Sequence, residues 1–482
     1  MQGTLNPFDS ATGSDRLQSP GYLLLLVVLV AASALVTSKM GLVGGLGLLV
    51  LPFVFLYFYL LFWKPIIGLY TALVFGFVLL GIGRYARGVQ VGLAMDGILV
   101  LTYLALIFNR FNDRVNWAPA KKDITLLSAI WFGYTIFEVV NPEARSMAAW
   151  FSGRGIGLYM MLIVPLTLLF VDTNRKLNII FVLWGLFSLL ATLKGIMQVN
   201  FGVDPWESQW LNDGNAKTHI LFGRLRAFSF LSDAGQFGAN QAYSAVVAAI
   251  VSMAQKGWKS KLFFLTVAVF GLYGMVISGT RGAMSVPLAG FATFFFLRKN
   301  KAVMIAGFFV LLLVFVFFKY TSIGQGNAQI RRMRTAFDPN DASLQVRLAN
   351  QRKLKTYLAS RPFGGGVGHG GVKAQRYLPN AYLSQVATDS GYVLVWVELG
   401  VVGLVLNLII LFYAVIKSSY QVMFRIRDPM LKLKMAALTS GMVGIMVANY
   451  GNAVLAQMPT SVLIYTSMAL MLNSETFDTK PE

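Results

Sequence analysis

The sequence predicts an all-α polytopic membrane protein with about 14 transmembrane helices, in the range 12–14, and one large external loop that contains a helix of its own. Three observations predict it. Hydrophobic residues make up 56% of the chain and charged residues 13%, with a mean hydropathy of +0.64, a composition outside the soluble globular range. Apolar runs of roughly 20 residues, the length needed to cross about 30 Å of hydrocarbon, recur along the chain. Between two of these runs lies a long polar stretch, Tyr320–Tyr392, rich in arginine and lysine.

The apolar runs are 21–38, 41–62, 66–83, 91–109, 123–140, 154–172, 177–198, 236–254, 262–279, 282–297, 302–319, 390–416, 435–450 and 454–472. Ahead of them, residues 1–20 are polar, with Asp9, Asp15 and Arg16 and no short apolar core before a small-residue cleavage site. They read as a cytoplasmic tail, not a signal peptide. The short loops holding Lys64, Arg110, Arg114, Lys121, Lys122, Arg175, Lys176, Lys256, Lys259, Lys261, Arg298, Lys299, Lys301, Lys417, Arg425, Arg427, Lys432 and Lys434 then share one side. The positive-inside bias makes that side the cytoplasm. The opposite, periplasmic side receives Arg84, Arg87, Arg145, Arg154, the segment 199–235, Arg281 and the long loop.

The expected organisation is therefore a cytoplasmic tail (1–20), N-terminal membrane helices (21–198), central membrane helices with arginine motifs (199–319), a basic periplasmic loop (320–389), C-terminal membrane helices (390–473) and a cytoplasmic tail (474–482). The spans are expected to pack as one membrane domain in a bacterial inner membrane, with no internal repeat. Segment 199–235 reads as surface chain, with Trp206 and Trp210 as interface anchors. In the long loop, Asp341 or Ser343 is placed to cap a helix running to about Ala359, with Leu344, Leu348, Tyr357 and Leu358 as its apolar stripe. Pro362 and the following glycines end that helix.

Charge points to the partner. Between Tyr320 and Thr388 ten basic residues stand against two acidic ones, so the loop calls for an anionic ligand. Arg281, in Ser278-Gly279-Thr280-Arg281-Gly282-Ala283, sits at a span junction with small neighbours that leave room for a ligand; the other reading is an arginine snorkelling to headgroups. Arg224 and Arg226 precede the next span, and guanidinium groups bind phosphate bidentately without losing charge. An internal salt bridge from Arg226 to Asp233 is the alternative. Asp389 stands at a membrane mouth facing arginines and suits a general base, a role compatible with capping the helix that follows. Glu398, deeper in that helix, reads as structural. Arg347, Arg352, Arg361, His369 and Tyr392 complete the candidate substrate contacts, although a turn role is favoured for His369.

Several classes fall away. With no cysteine and two histidines, there is no thiolate site and no His-rich metal centre. The glycine run Gly364–Gly371 lacks the Lys-Ser/Thr of a phosphate-cradling P-loop. No Asp-x-Asp marks an external loop, so no metal, no other cofactor and no nucleic acid is implied.

Several motifs occur in a recognisable order: Arg226-Ala227-Phe228-Ser229-Phe230, Thr280-Arg281-Gly282-Ala283, Arg347 followed by Arg361-Pro362-Phe363-Gly364-Gly365-Gly366-Val367-Gly368, and Glu398-Leu399-Gly400-Val401-Val402-Gly403. Over roughly 200–415 the chain resembles the O-antigen ligase and polymerase superfamily. The resemblance implies a helical bundle with a cavity beneath a large periplasmic loop, a donor glycan on undecaprenyl diphosphate, a glycan acceptor, membrane lipids around the carrier, and arginines holding the leaving diphosphate without a metal. The ligases carry a His-Asn pair ten residues before the Glu-x-Gly motif; here those positions are Thr388-Asp389. That departure favours a polymerase, with Asp389 deprotonating the acceptor, Arg281 and Arg226 neutralising the diphosphate, inversion at the anomeric carbon and a possible chain-length regulator as partner. A ligase acting on lipid A-core is the alternative, and so is a multi-span transporter or flippase, which would show mid-membrane charges and inverted repeats.

Overall fold

The computed structural model describes residues 20–86, 91–110, 115–221, 223–326, 328–338 and 340–478. The expected tail 1–20 apart from Pro20, the basic residues Arg87 and Arg114, and the end of the second tail lie outside these residues. Fourteen main helices order the rest: α1 (Pro20–Trp63), α2 (Ile66–Tyr85), α3 (Gly92–Arg110), α4 (Asp123–Phe137), α5 (Gly155–Phe170), α6 (Asn174–Phe201), α7 (Ala234–Met253), α8 (Trp258–Ile277), α9 (Ser285–Leu297), α10 (Lys301–Tyr320), α11 (Ala342–Leu358), α12 (Gly391–Tyr420), α13 (Pro429–Ala448) and α14 (Thr460–Leu472). The chain forms two compact units, Met1–Pro65 and Ile66–Glu482, in place of the single domain expected. In the first, α1 is broken at Gly41, between the two runs expected there.

The protein is an all-α polytopic membrane protein. Among the described residues, nine helices are long and apolar enough to cross a membrane, and four shorter apolar helices accompany them. Length and apolarity alone therefore do not give fourteen crossings. The clearest shortfall is α7, whose Gln236, Asn240, Gln241 and Ser244 dilute its hydropathy. Almost every side chain of α7 is buried, so it meets protein and not lipid. It packs against α6, α8, α9 and α13, and several of its polar groups are bonded within the bundle. Gln241 accepts from Ser188 and Thr192, Trp184 donates to Ser244, and Tyr243 meets Ser467. A helix that never faces lipid has no need of a lipid-like surface.

The last run also shortens. Residues 449–459 are not helical, and Asn449 Oδ1 accepts the amides of Val454 and Leu455 where a helix would have supplied carbonyls.

The long loop is built as its sequence suggests. Asp341 caps α11 by accepting from the Leu344 amide at 3.1 Å. The apolar stripe also includes Leu354, which is fully buried with Leu358 against Leu383, Val386 and Val397. Below α11 the glycine run does more than turn the chain. At Gly400, with φ of 67°, α12 breaks and its hydrogen-bond ladder is interrupted. Each group released is taken up: Val397 O by Gly365 N at 2.8 Å, Glu398 O by Gly366 N at 2.9 Å, Leu399 O by the Tyr134 hydroxyl at 2.8 Å, and Val402 N by Pro362 O. The Glu398 carboxylate accepts from the backbone at Gly368 and Gly370. An interrupted helix inside an apolar bundle is tolerated because the loop backbone satisfies it.

A side chain at either glycine would prevent this seating, since a Cβ on Gly400 would lie 1.9 Å from Pro362 O and one on Gly364 2.5 Å from Gly400 N. Gly400→Ala is expected to destabilise the protein by about 2–4 kcal/mol, combining a left-handed φ with a backbone clash. Thermal unfolding in detergent checks this; an unchanged midpoint would mean that the loop seats elsewhere.

Candidate active site

The turn that follows α8 gathers the arginines. Gly279 has a φ of 58°, a conformation open to glycine, and it reverses the chain so that the Ser278 and Gly279 carbonyls point outward. Arg226 lies along this turn. Its Nε donates to Ser278 O at 3.0 Å, one amino group to Thr218 O at 2.8 Å and the other to Thr280 Oγ1 at 2.9 Å. Thr280 passes its own proton to Ala234 O, the first carbonyl of α7. Arg226 makes no ion pair with Asp233, which caps α7 instead by accepting from Gln236 N at 2.9 Å.

The Phe-Ser-Phe segment explains how Arg226 is held. Ser229 sits at a φ of 54°, costly for a residue with a side chain, and is fixed by Gln198, which accepts from its amide at 2.7 Å, and by Ala191 O. Arg84 braces the same segment: it donates to Ser229 O and Leu231 O and is sandwiched between the Trp210 and Phe228 rings, 4.6 Å from each centroid. Trp206 is exposed and packs on Tyr85, whereas Trp210 is an internal support and not the interface anchor expected of it.

Arg281 reaches up from the same turn into the loop. It donates to Thr335 Oγ1 at 2.8 Å and Ser343 Oγ at 3.0 Å, and is ion-paired with Asp341, the cap of α11. It therefore does not snorkel away from the protein. A third cation joins from the loop, Arg332, whose Nε donates to Gly279 O at 2.5 Å. Burial, then the neighbouring Arg332 and Arg281, push the Arg226 guanidinium down to about 10. Burial and Arg281 likewise lower Arg332, while the Arg281 hydrogen bond holds the Asp341 carboxyl below its usual range. Three guanidinium groups thus meet around one turn, and the Asp341 carboxylate pairs with one of them, Arg281.

Asp389 lies just before α12 and faces α11 at Arg347. Its carboxylate is 3.6 Å from Arg347 Nε and is exposed, while the cap position of α12 falls to Ser390 without a side-chain bond. Asp389 and Arg281 make no direct contact; α11 links them, through Asp341 at its start and Arg347 six residues on.

The other candidates separate clearly. Arg224 and Arg352 are exposed. Arg361 is engaged by Glu143 at 3.0 Å and by Tyr357 O, so it ties the loop to the 141–146 turn. Tyr392 donates its hydroxyl to Met446 O at 2.7 Å. His369 is buried, with Nδ1 bonded to Val367 O at 2.9 Å and Nε2 accepting from Ser146 N at 3.1 Å. Both nitrogens are used within the protein, in keeping with the turn role favoured for His369, and Arg361 and Tyr392 are likewise engaged by the chain itself. Arg332 and Asp341 are the members that sequence reasoning missed. Asp341 carried a cap signal, but nothing local distinguishes Arg332 from Arg331 and Arg334.

Comparison with known proteins bears on this arrangement. A protein family described as O-antigen ligase matches residues 266–408, which run from α8 through the arginine turn and the loop to just beyond the Gly400 break. An O-antigen polymerase of Salmonella muenchen is 23% identical over 343 residues, covering 66% of this chain and 81% of that protein. Over these residues the chain is similar to the O-antigen ligase family and to an O-antigen polymerase. Arg281 and Arg332 fall inside the residues that the family matches, and Arg226 comes from outside them.

Burial depresses the affinity of His369 and His219 for protons below the ordinary value of 6.5. The unfolded chain then binds more protons, so their stabilising contribution is complete above about pH 6.5 and is lost as pH falls toward the depressed folded values. The unfolding midpoint is expected to decline below that pH. In His369→Gln, which retains an acceptor but does not titrate, the decline should be shallower; an identical slope would mean that His369 is not held neutral.

Proposed function

We propose that this protein is a membrane glycosyltransferase that polymerises undecaprenyl-diphosphate-linked repeat units into an O-antigen type polysaccharide on the periplasmic face of the bacterial inner membrane. The observation that carries this reading is the convergence of Arg226, Arg281 and Arg332 on the Ser278–Arg281 turn. Fixed, permanently charged donors suit a diphosphate that gains charge as it leaves.

The reaction follows from two points on α11, its cap Asp341 and Arg347 six residues on. The acceptor sugar hydroxyl gives its proton to the Asp389 carboxylate, and its oxygen attacks the anomeric carbon of the donor. The bond from that carbon to the diphosphate oxygen breaks, and the electron pair leaves with the diphosphate, held by the arginines. One displacement inverts the anomeric centre. Asp341 and Arg347 are six residues apart on α11, about 9 Å at 1.5 Å per residue. A sugar ring fits between a diphosphate at one end and a base at the other. Donor binding exchanges phosphate oxygens for Asp341 on Arg281, and Arg347 must release Asp389 to the acceptor.

The family description favours a second reading, in which the glycan is transferred to lipid A-core by a ligase. Against it stand Thr388-Asp389 in place of the ligase His-Asn pair and the internal engagement of the His369 imidazole.

Reconstituted with lipid-diphosphate-linked repeat units, wild-type protein should yield a ladder of lipid-linked oligomers. Asp389→Asn and Arg281→Ala should each lower the rate by about 100-fold or more while the protein still folds. Transfer to lipid A-core without a ladder would establish the ligase reading; movement of glycan across the bilayer without new bonds would sink both. Asp341→Asn retains a helix cap but removes the anion that competes at Arg281, so the KM for the lipid-linked donor should fall by about two- to fivefold. A raised KM would show that Asp341 positions Arg281 for the donor.

A further inference from the structure

Of the three guanidinium groups at the Ser278–Arg281 turn, two come from the membrane helices and their junctions, and one does not. Arg332 belongs to the short helix Ala328–Arg334, at the beginning of the long loop. We infer that Arg332 is the third cation of the diphosphate site, brought there by the loop, and that it lets the protein distinguish a lipid diphosphate from a lipid monophosphate. The inference rests on the proposed function and names a further substrate-binding residue for it.

The hydrogen bonds set Arg332 apart from its neighbours. Arg226 spends Nε and both amino groups on protein oxygens, and Arg281 spends both amino groups on Thr335, Asp341 and Ser343. Arg332 uses Nε alone, on Gly279 O, so neither of its amino groups donates to a described residue. Those groups keep the planar fork that matches two phosphate oxygens. A guanidinium anchored by its Nε to a neutral carbonyl is oriented, and Asp341, which is paired with Arg281, offsets its charge only at a distance.

Position supports the same role. A Cβ built on Gly279 would lie 3.3 Å from Arg332 Cδ and Nε and 3.6 Å from Arg226 Cγ, so Arg332 and Arg226 flank one glycine on the two sides of the turn. Arg281 is near enough to disfavour the charge on Arg332. Bringing like charges together costs free energy, and an arriving anion recovers it. One phosphate group needs about one bidentate guanidinium and a second donor; two bridged phosphates, with more charge and more oxygens, use three.

Arg331 and Arg334 do not share this geometry. Arg331 is exposed and donates to Gln325 O, and Arg334 donates to Thr321 and Ile323 O, so both shape the loop. Arg331 therefore supplies a control that removes the same charge from the same short helix.

The test uses the full chain in lipid nanodiscs, with undecaprenyl diphosphate and undecaprenyl monophosphate as probes and binding followed by titration. Wild type should prefer the diphosphate. In Arg332→Gln, affinity for the diphosphate should fall by about tenfold or more, the loss expected for charge-assisted hydrogen bonds, while affinity for the monophosphate changes by less than about threefold. Arg331→Gln should change either affinity by less than about twofold. Equal losses for both probes, or none, in Arg332→Gln would make Arg332 a staple for the loop and overturn the assignment while leaving the polymerase reading intact. Wild-type protein that binds neither probe above empty nanodiscs would overturn both. Should Arg332→Gln fail to assemble, Arg332→Lys carries the test, since it keeps the charge but loses the fork; an unchanged ratio of diphosphate to monophosphate affinity there also overturns the assignment.

Discussion

Much of this structure depends on how three arginines are held next to one another with a carboxylate paired to only one of them, Arg281. An arginine buried against a carboxylate is stable but has no charge left to offer a ligand. Here Arg226 is held by the Ser278 and Thr218 carbonyls and the Thr280 hydroxyl, and Arg332 by the Gly279 carbonyl. Dipoles orient these two groups, and their charges remain. The left-handed Gly279 makes this possible by turning two successive carbonyls toward the arginines. Burial first, and then the neighbouring arginines, lower Arg226 and Arg332, and this is the cost of a site prepared for an anion.

The loop stays over this site through the break in α12. A helix interrupted inside an apolar bundle exposes carbonyls that have nowhere else to bond, and the Gly365 and Gly366 amides are what reaches them. That pairing fixes the chain between Arg361 and Gly371 and, through it, the C-terminal end of α11. Arg361 adds a second tie to Glu143. The basic residues there and the buried His369 are thus scaffold elements, and their work is to keep α11 in register with the turn below.

Legibility in the sequence followed the range of the interactions. The spans were legible because lipid imposes a composition on whatever faces it, and α7 departs from that composition because protein surrounds it. Arg281 stood out as an arginine among small residues at a span junction, and Arg226 as one of a pair of arginines ahead of a span. Arg332 did not, since in Arg331-Arg332-Met333-Arg334 the residue that turns inward is chosen by a carbonyl 53 positions away. Asp341 was readable as a cap, a contact three residues long, but not as the partner of an arginine 60 positions earlier. His369 was readable as a turn residue, but neither Val367 O nor Ser146 N is visible as its partner from a glycine-rich run.

The two ion pairs on α11 have opposite sense, and this arrangement couples the two reactants. At the start of the helix the loop contributes the carboxylate and the turn the cation, Asp341 to Arg281; further along, the loop contributes the cation and the edge of α12 the carboxylate, Arg347 to Asp389. In the proposed reaction a diphosphate competes for the first pair and an acceptor hydroxyl needs the second opened. Neither exchange requires α11 to unfold, because Asp341 keeps its cap bond to Leu344 through its other oxygen and the helix stays seated on Leu354 and Leu358. A small tilt of one rigid helix lengthens both pairs together, so arrival of the donor at the arginines favours release of the base that the acceptor requires.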